Sequence, residues 1–176
     1  EASDFAFSLS GSTFSLSSAT PTSISISGNV VTLGIGLSGT PNGSETLRVN
    51  PVSNSIYDAD GNAAIGFQPI AESVSLNDKL APTIGTTFDI PVGNATVAVT
   101  FSESVYNTNG GSGALQASDF AFAISGGTAT LSSATPTSIS ASGNIYTLGI
   151  GLSGTANGSE TLTITPVANS IYDAGG

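Results

Sequence analysis

An internal repeat is the feature that most constrains how this chain can fold. Residues 2–61 align without a gap with residues 117–176, an offset of 115, and 46 of the 60 aligned positions are identical. Identity this high indicates tandem duplication, so the structure that one copy adopts must be formed a second time by the other. Residues 81–116 and 62–80 have no counterparts, and we therefore expect about one and a half repeats of a longer polypeptide.

Composition excludes several classes of function. The chain has no Cys and no His, which leaves no thiol nucleophile, no Ser–His pair and no nitrogen or sulfur ligands for zinc or haem. Its net charge is −10 with Lys and Arg totalling 2, so nucleic-acid binding is not expected. Glycoside hydrolysis by paired carboxylates needs an aromatic-lined cleft, and with no Trp and only 4 Tyr we do not expect an enzyme. No apolar run approaches the roughly 20 residues of a membrane span.

Strict alternation of apolar and polar residues predicts strands through most of the chain. Val97, Val99 and Phe101 alternate with small or polar residues, and the same period of two recurs at residues 5–9 and 31–37. Two-residue turns are predicted at Ser27-Gly28-Asn29 and its repeat. Asn-Gly at Asn42 and at Asn157 is a strong hairpin signal. Many short strands separated by turns favour an all-β fold of tandem immunoglobulin-like β-sandwich domains.

The repeat allows the strands of one full domain to be assigned from both copies. The predicted strands are A (83–88), B (95–102), C (119–124), D (137–142), E (145–152), F (160–166) and G (64–76, in the first copy), with an extra edge strand or crossover at 128–133. The predicted domains are 1–76, lacking its first two strands, and 84–176, lacking its last strand, joined by a linker at 77–83. We expect the first domain to expose Phe5, Val31 and Leu33 or their neighbours.

Four short motifs, taken in order, resemble a known family. They are APTI at 81–84, VTFSESV at 99–105, SDF at 118–120 and YDADGN at 57–62. Together they resemble the bacterial immunoglobulin-like (Big-type) tandem repeats of large surface adhesins and extracellular filaments. The resemblance implies an extracellular stalk or adhesive role and commonly calcium, and it does not imply an enzyme.

Strand parity predicts that four carboxylates surround the joint between the two domains. Glu103 opens the B–C loop, Asp173 lies in the F–G loop, Asp78 is in the linker, and Glu45 is in the E–F turn of the first domain. An oxygen-only ligand set suits a hard cation, and calcium takes six to eight such oxygens. We therefore expect calcium at the joint, with the alternative that these are ordinary turn and cap residues.

A second candidate metal-binding string lies on one loop. Asp58, Asp60 and Asn62 form a DxDxN pattern that resembles the start of a calcium loop, without the remainder of an EF-hand. Gly175 replaces Asp60 in the second copy, which weakens the case for this string. Asp4 and Asp119, each preceding a Phe, are interpreted as turn-forming residues.

The sequence thus predicts an extracellular repeat that acts as a spacer, a stalk or a filament building block of a large bacterial surface protein. The alternative is a calcium-dependent adhesin module whose loops bind glycans or a partner cell surface. Expected partners are copies of the same repeat or chain, or a glycan or cell-surface receptor. Neither nucleic acid nor a membrane span is expected, and the expected location is the cell surface or the extracellular space.

Overall fold

The chain folds into two compact units in the computed structural model, which describes residues 1–11, 13–65, 73–85 and 88–175. Unit 1 is Glu1–Leu80 and unit 2 is Ala81–Gly176. In the described ranges the helical elements are two three-residue 3₁₀ turns, Ala2–Asp4 and Ala117–Asp119. No helix in those ranges has the length and apolar character needed to span a bilayer. The prediction of an all-β fold is confirmed.

Unit 1 contains five described strands. They are β1 (Phe5–Ser10), β2 (Ile24–Ser27), β3 (Val30–Leu33), β4 (Thr46–Pro51) and β5 (Ser73–Ser75). The antiparallel order β1-β4-β5 forms one sheet, and β2 and β3 form a separate hairpin.

Unit 2 contains seven described strands. They are β6 (Thr96–Thr100), β7 (Phe120–Ser125), β8 (Thr130–Leu131), β9 (Ile139–Ser142), β10 (Ile145–Gly149), β11 (Leu152–Ser153) and β12 (Thr161–Pro166). One sheet has the antiparallel order β6-β10-β9, while β12 pairs with β7 and β11 with β8. Consecutive strands therefore often belong to different sheets.

The two units share strand registers at the offset of the sequence repeat. Phe5 pairs with Pro51 in unit 1, and Phe120 pairs with Pro166 in unit 2, each 115 residues later. The hairpins correspond in the same way, since Ile24 lies opposite Leu33 and Ile139 opposite Leu148. A register slip of one residue would turn every side chain to the other face, so equal registers mean equal core positions.

The tight turns predicted around Gly28 and Gly143 are confirmed. Each glycine has φ +59° and occupies the first position of a two-residue connection, as a type II′ turn requires. The Asn-Gly hairpin prediction is wrong. β11, the strand before Asn157, pairs with β8, and β12, the strand after it, pairs with β7, so the two strands that flank this turn do not pair with each other.

The predicted strands A and G are only partly covered by the described residues. At strand A, Ile84 forms an isolated antiparallel bridge with Phe101 and Asp89 forms one with Ala98, while residues 86–87 lie outside the described residues. Of strand G, residues 66–72 lie outside the described residues, and β5 is the part described as a strand.

One hydrophobic cluster joins the β6-β10-β9 sheet of unit 2 to the pair formed by β7 and β12. Val97 and Val99 of β6, Leu148 of β10 and Phe120 of β7 are all buried in it. The rings of Phe101 and Phe120, which follow β6 and begin β7, lie with centroids 6.2 Å apart. The strand residues that face this cluster are the apolar residues of the alternating pattern in the sequence.

Candidate functional site

Unit 2 holds the carboxylate of Glu160 in a cradle of backbone amides. Thr128 and Ala129 donate N–H groups to it at 2.8 and 3.1 Å, and Asn157 and Gly158 donate at 3.0 Å each. Gly158 has φ +88°, a left-handed conformation that glycine adopts without strain. The carboxylate thereby closes its own loop and ties it to residues 128–129.

These hydrogen bonds favour the ionised form of Glu160. The backbone N–H groups of Ala129 and Thr128, with a smaller contribution from Asn157, lower its pKa from 4.5 to about 2. No local motif indicated this role, because Thr128 and Ala129 lie more than thirty residues away along the chain.

Glu45, a predicted calcium ligand, is the counterpart of Glu160 in unit 1. Its side chain is buried, and its carboxylate accepts the backbone N–H of Asn42 at 3.0 Å. Its backbone carbonyl accepts the N–H of Leu76 at 2.9 Å, which fixes the end of β5 against this loop. Glu45 therefore shares with Glu160 the hydrogen bond to the asparagine of its own loop.

Asp58, the first residue of the DxDxN string, closes a local turn. It accepts backbone N–H groups from Asp60 and Asn62 at 2.9 and 2.8 Å, and the side-chain amide of Asn62 at 2.9 Å. The Asn62 side chain, followed by its backbone N–H, lowers the pKa of Asp58. Asp60 is exposed. The string thus forms a hydrogen-bonded turn. Both carboxylate oxygens of Asp58 accept hydrogen bonds from residues of the same turn.

Asp78 lies in unit 1 beside the loop that Glu45 closes. Its carboxylate accepts the N–H of Leu80 at 2.9 Å, and the next residue, Lys79, donates its N–H to the carbonyl of Pro41 at 2.8 Å. A Cβ added at Gly43 would lie 3.5 Å from the Asp78 Cβ, so this segment packs closely on the loop.

Unit 2 brings Glu103 and Asp173 together. A carboxylate oxygen of each lies within 4.8 Å of the other, and the Asp173 side chain is only 4% exposed. Reciprocal hydrogen bonds of 2.8 Å between the backbones of Tyr106 and Tyr172 hold the two loops side by side. Two carboxylates this close repel each other, and a hard cation would remove that repulsion.

A polar clamp that the sequence analysis missed recurs in both units. In unit 2 the carbonyl of Asp119 accepts the N–H of Val167 at 2.9 Å and the hydroxyl of Ser170 at 3.2 Å. The hydroxyl of Tyr172 donates to the carbonyl of Asn169 at 2.8 Å, and Asn169 has φ +57°. The counterparts in unit 1, Asp4, Val52, Ser55, Tyr57 and Asn54, make the same three hydrogen bonds, and Asn54 also has φ +57°.

The clamp accounts for sequence stretches that are unchanged between the copies. ASDF supplies the 3₁₀ turn and the accepting carbonyl, and NSIYD supplies the two hydroxyl donors. Asp119 is buried in that turn and accepts the N–H of Gln116 at 2.7 Å, as expected for a turn-forming residue. The identity of ASDF and NSIYD in both copies was the signal available from the sequence.

Comparisons of the chain with known protein families, with curated proteins and with solved structures found no match. The fold and these contacts define the chain as an all-β protein whose two units share one set of loop-closing contacts.

Proposed function

We propose that this chain is a tandem structural repeat with immunoglobulin-like domains, acting as an extracellular spacer, stalk or filament building block. The fold part of the proposal is supported by strand order. β6-β10-β9 matches the order B-E-D, with the bridge from Asp89 to Ala98 of β6 at the place of strand A, and β1-β4-β5 matches C-F-G. These are the two sheets of a constant-type immunoglobulin sandwich.

The observation that carries the functional part is the repetition of one set of structural contacts in both units. Both units use the same registers, the same clamp and the same loop-closing glutamate. An extended spacer is built by adding equivalent units along the chain, and two units with the same contacts fit that requirement. The low charge, 8% of residues, and the repeat favour the spacer.

Single-molecule stretching tests the spacer function. A chain of several joined 115-residue repeats is expected to unfold in equally spaced steps, each releasing about 400 Å, because extended residues span about 3.5 Å. Smooth extension without resisted steps, or collapse of all repeats in one event, would contradict the proposal.

A calcium-dependent adhesin module is the second candidate, and the proximity of Glu103 to the buried Asp173 favours it. We propose that calcium binds this pair. Bound calcium would stabilise the folded state by mass action, by about 2.7 kcal/mol at a hundred times its dissociation constant.

Thermal melts in calcium and in chelator test this second candidate. Calcium is expected to raise the melting temperature of the native chain and of the Asp89→Asn control, which removes an exposed carboxylate of the same unit. The Asp173→Asn variant should lose that increase. Equal melting temperatures of the native chain in calcium and chelator would retire the calcium proposal.

A further inference from the structure

Among the described residues, the β2–β3 hairpin of unit 1 has an unpaired edge along β3, whereas the same edge of the β9–β10 hairpin in unit 2 is paired. Within the described residues β3 pairs with β2 alone, whereas β10 pairs with β9 on one side and with β6 on the other. The two hairpins are otherwise equivalent, because their registers and their closing contacts coincide. Gly34 donates its N–H to Ser23 at 2.9 Å, and Gly149 donates to Ser138 at 2.9 Å.

Apolar side chains beside this edge are exposed where their counterparts are buried. Val31 is 39% exposed and its counterpart Tyr146 8%, while Ile35 is 42% exposed and Ile150 9%. Leu33 is half-buried, whereas Leu148 is fully buried. This agrees with the expectation that unit 1 exposes core positions, although Phe5 is half-buried rather than exposed.

We infer that the open β3 edge binds an added antiparallel strand of the β6 type, supplied by another copy of this repeat. The inference rests on the proposed repeat architecture, because unit 2 shows what covers the same surface there. Strand addition of this kind uses main-chain hydrogen bonds for affinity and alternate side chains for specificity.

The register of β6 against β10 in unit 2 predicts which residues of the added strand pair with which residues of β3. Thr100 of the added strand would pair with Val30, Val99 with Val31, and Val97 with Leu33, each 115 residues before its partner in unit 2. Ala95 would accept the N–H of Ile35, since it accepts that of Ile150 at 2.8 Å in unit 2.

The chemistry of both partners suits this pairing. Residues 22–44, which contain the edge, and residues 90–102, which contain β6, carry no charged side chain. In a chain with net charge −10, these are stretches that approach another copy without direct charge repulsion. The edge also lacks the Lys, Pro and inward charges that commonly block strand addition.

Alternation along β3 provides an internal control for the test. Gly34 donates its N–H to β2, so the amides of Val31, Leu33 and Ile35 point to the open edge. An added strand should protect these three amides from hydrogen exchange and leave Gly34 unchanged.

The experiment mixes the full chain with a synthetic peptide of residues 94–102, NATVAVTFS. We expect exchange at Val31 and Leu33 to slow by about tenfold or more at saturation. The same peptide with Val97→Thr and Val99→Thr should bind about tenfold more weakly, because it loses apolar contacts. In the chain, Val31→Asp should abolish binding, and Thr32→Asp, on the opposite face of the strand, should retain it.

Three results would overturn the inference: no protection by the peptide, equal protection by the substituted peptide, or self-association through β3 that the peptide does not displace. The amides of Leu148 and Ile150 in the same sample distinguish the two proposals. If these two exchange freely, the strand order under the proposed function fails as well. If they are protected while β3 is unchanged, only the inference fails.

Discussion

The carboxylate of Glu160 stabilises its own loop through backbone hydrogen bonds, two of which come from residues that are distant in the sequence. Its folded pKa of about 2 lies below the unfolded value of 4.5, so its ionised form stabilises the fold. That contribution is fully present above about pH 4.5 and is lost as the pH falls toward 2.

Substitution of Glu160 should therefore change the acid dependence of stability. Glu160→Gln is expected to lower the melting temperature of unit 2 at neutral pH and to flatten its fall between pH 4.5 and 2, because the titrating carboxylate is gone. Asp89→Asn removes a charge from the same unit at an exposed position and serves as the control. Parallel acid profiles for the native chain and Glu160→Gln would show that the cradle does not stabilise the fold.

Residue roles were predictable where the partners are local and not where they are distant. Asp119 was assigned to a turn because the residues it closes are its neighbours. Glu160 depends on amides of residues 128 and 129, which meet it only after the sheets form. The carboxylates of Glu103 and Asp173 were placed on neighbouring loops by strand parity, and the structure puts them within 4.8 Å.

At the scale of the element, β3 (VVTL) and the equivalent part of β10 (IYTL) share Thr and Leu at two of four positions and have different surroundings. Leu148 is fully buried between β6 and β9, and Leu33 has β2 as its described neighbouring strand. Leu148→Ala should destabilise unit 2 by about 2–5 kcal/mol, as expected for a buried leucine that leaves a cavity.

The matched substitution Leu33→Ala should destabilise unit 1 clearly less, because Leu33 is already partly solvated. Hydrogen exchange at the β2–β3 and β9–β10 hairpins reports each unit separately in one chain. Equal losses for the two substitutions would contradict the existence of an open edge beside β3.

Strand positions were predicted from the alternating pattern, and strand partners were not always predicted. The pattern located β6, β7 and β12 within two residues of their observed bounds. The Asn-Gly turns were misread because turn residues report local backbone conformation, and Gly158 does have φ +88°. Whether the flanking strands then pair depends on the sheet to which each belongs, and short-range signals do not encode that.

For the whole molecule, the central claim is that 115 residues form one complete two-sheet domain. The described strands of unit 1 include the β1-β4-β5 sheet, and those of unit 2 include β6-β10-β9. The repeat indicates how they combine, because Gly61 and Gly176 occupy equivalent positions and residue 62 can follow residue 176.

The most direct measurement is the stability of residues 81–176 joined to residues 62–80, which together make one full repeat. We predict a single cooperative unfolding transition at a higher temperature than that of residues 81–176 alone. We also predict protected amides where Val74 lies opposite Leu162, as it lies opposite Leu47 in unit 1. If the joined chain melts no higher than residues 81–176 and residues 73–75 exchange freely, the repeat is not one complete domain.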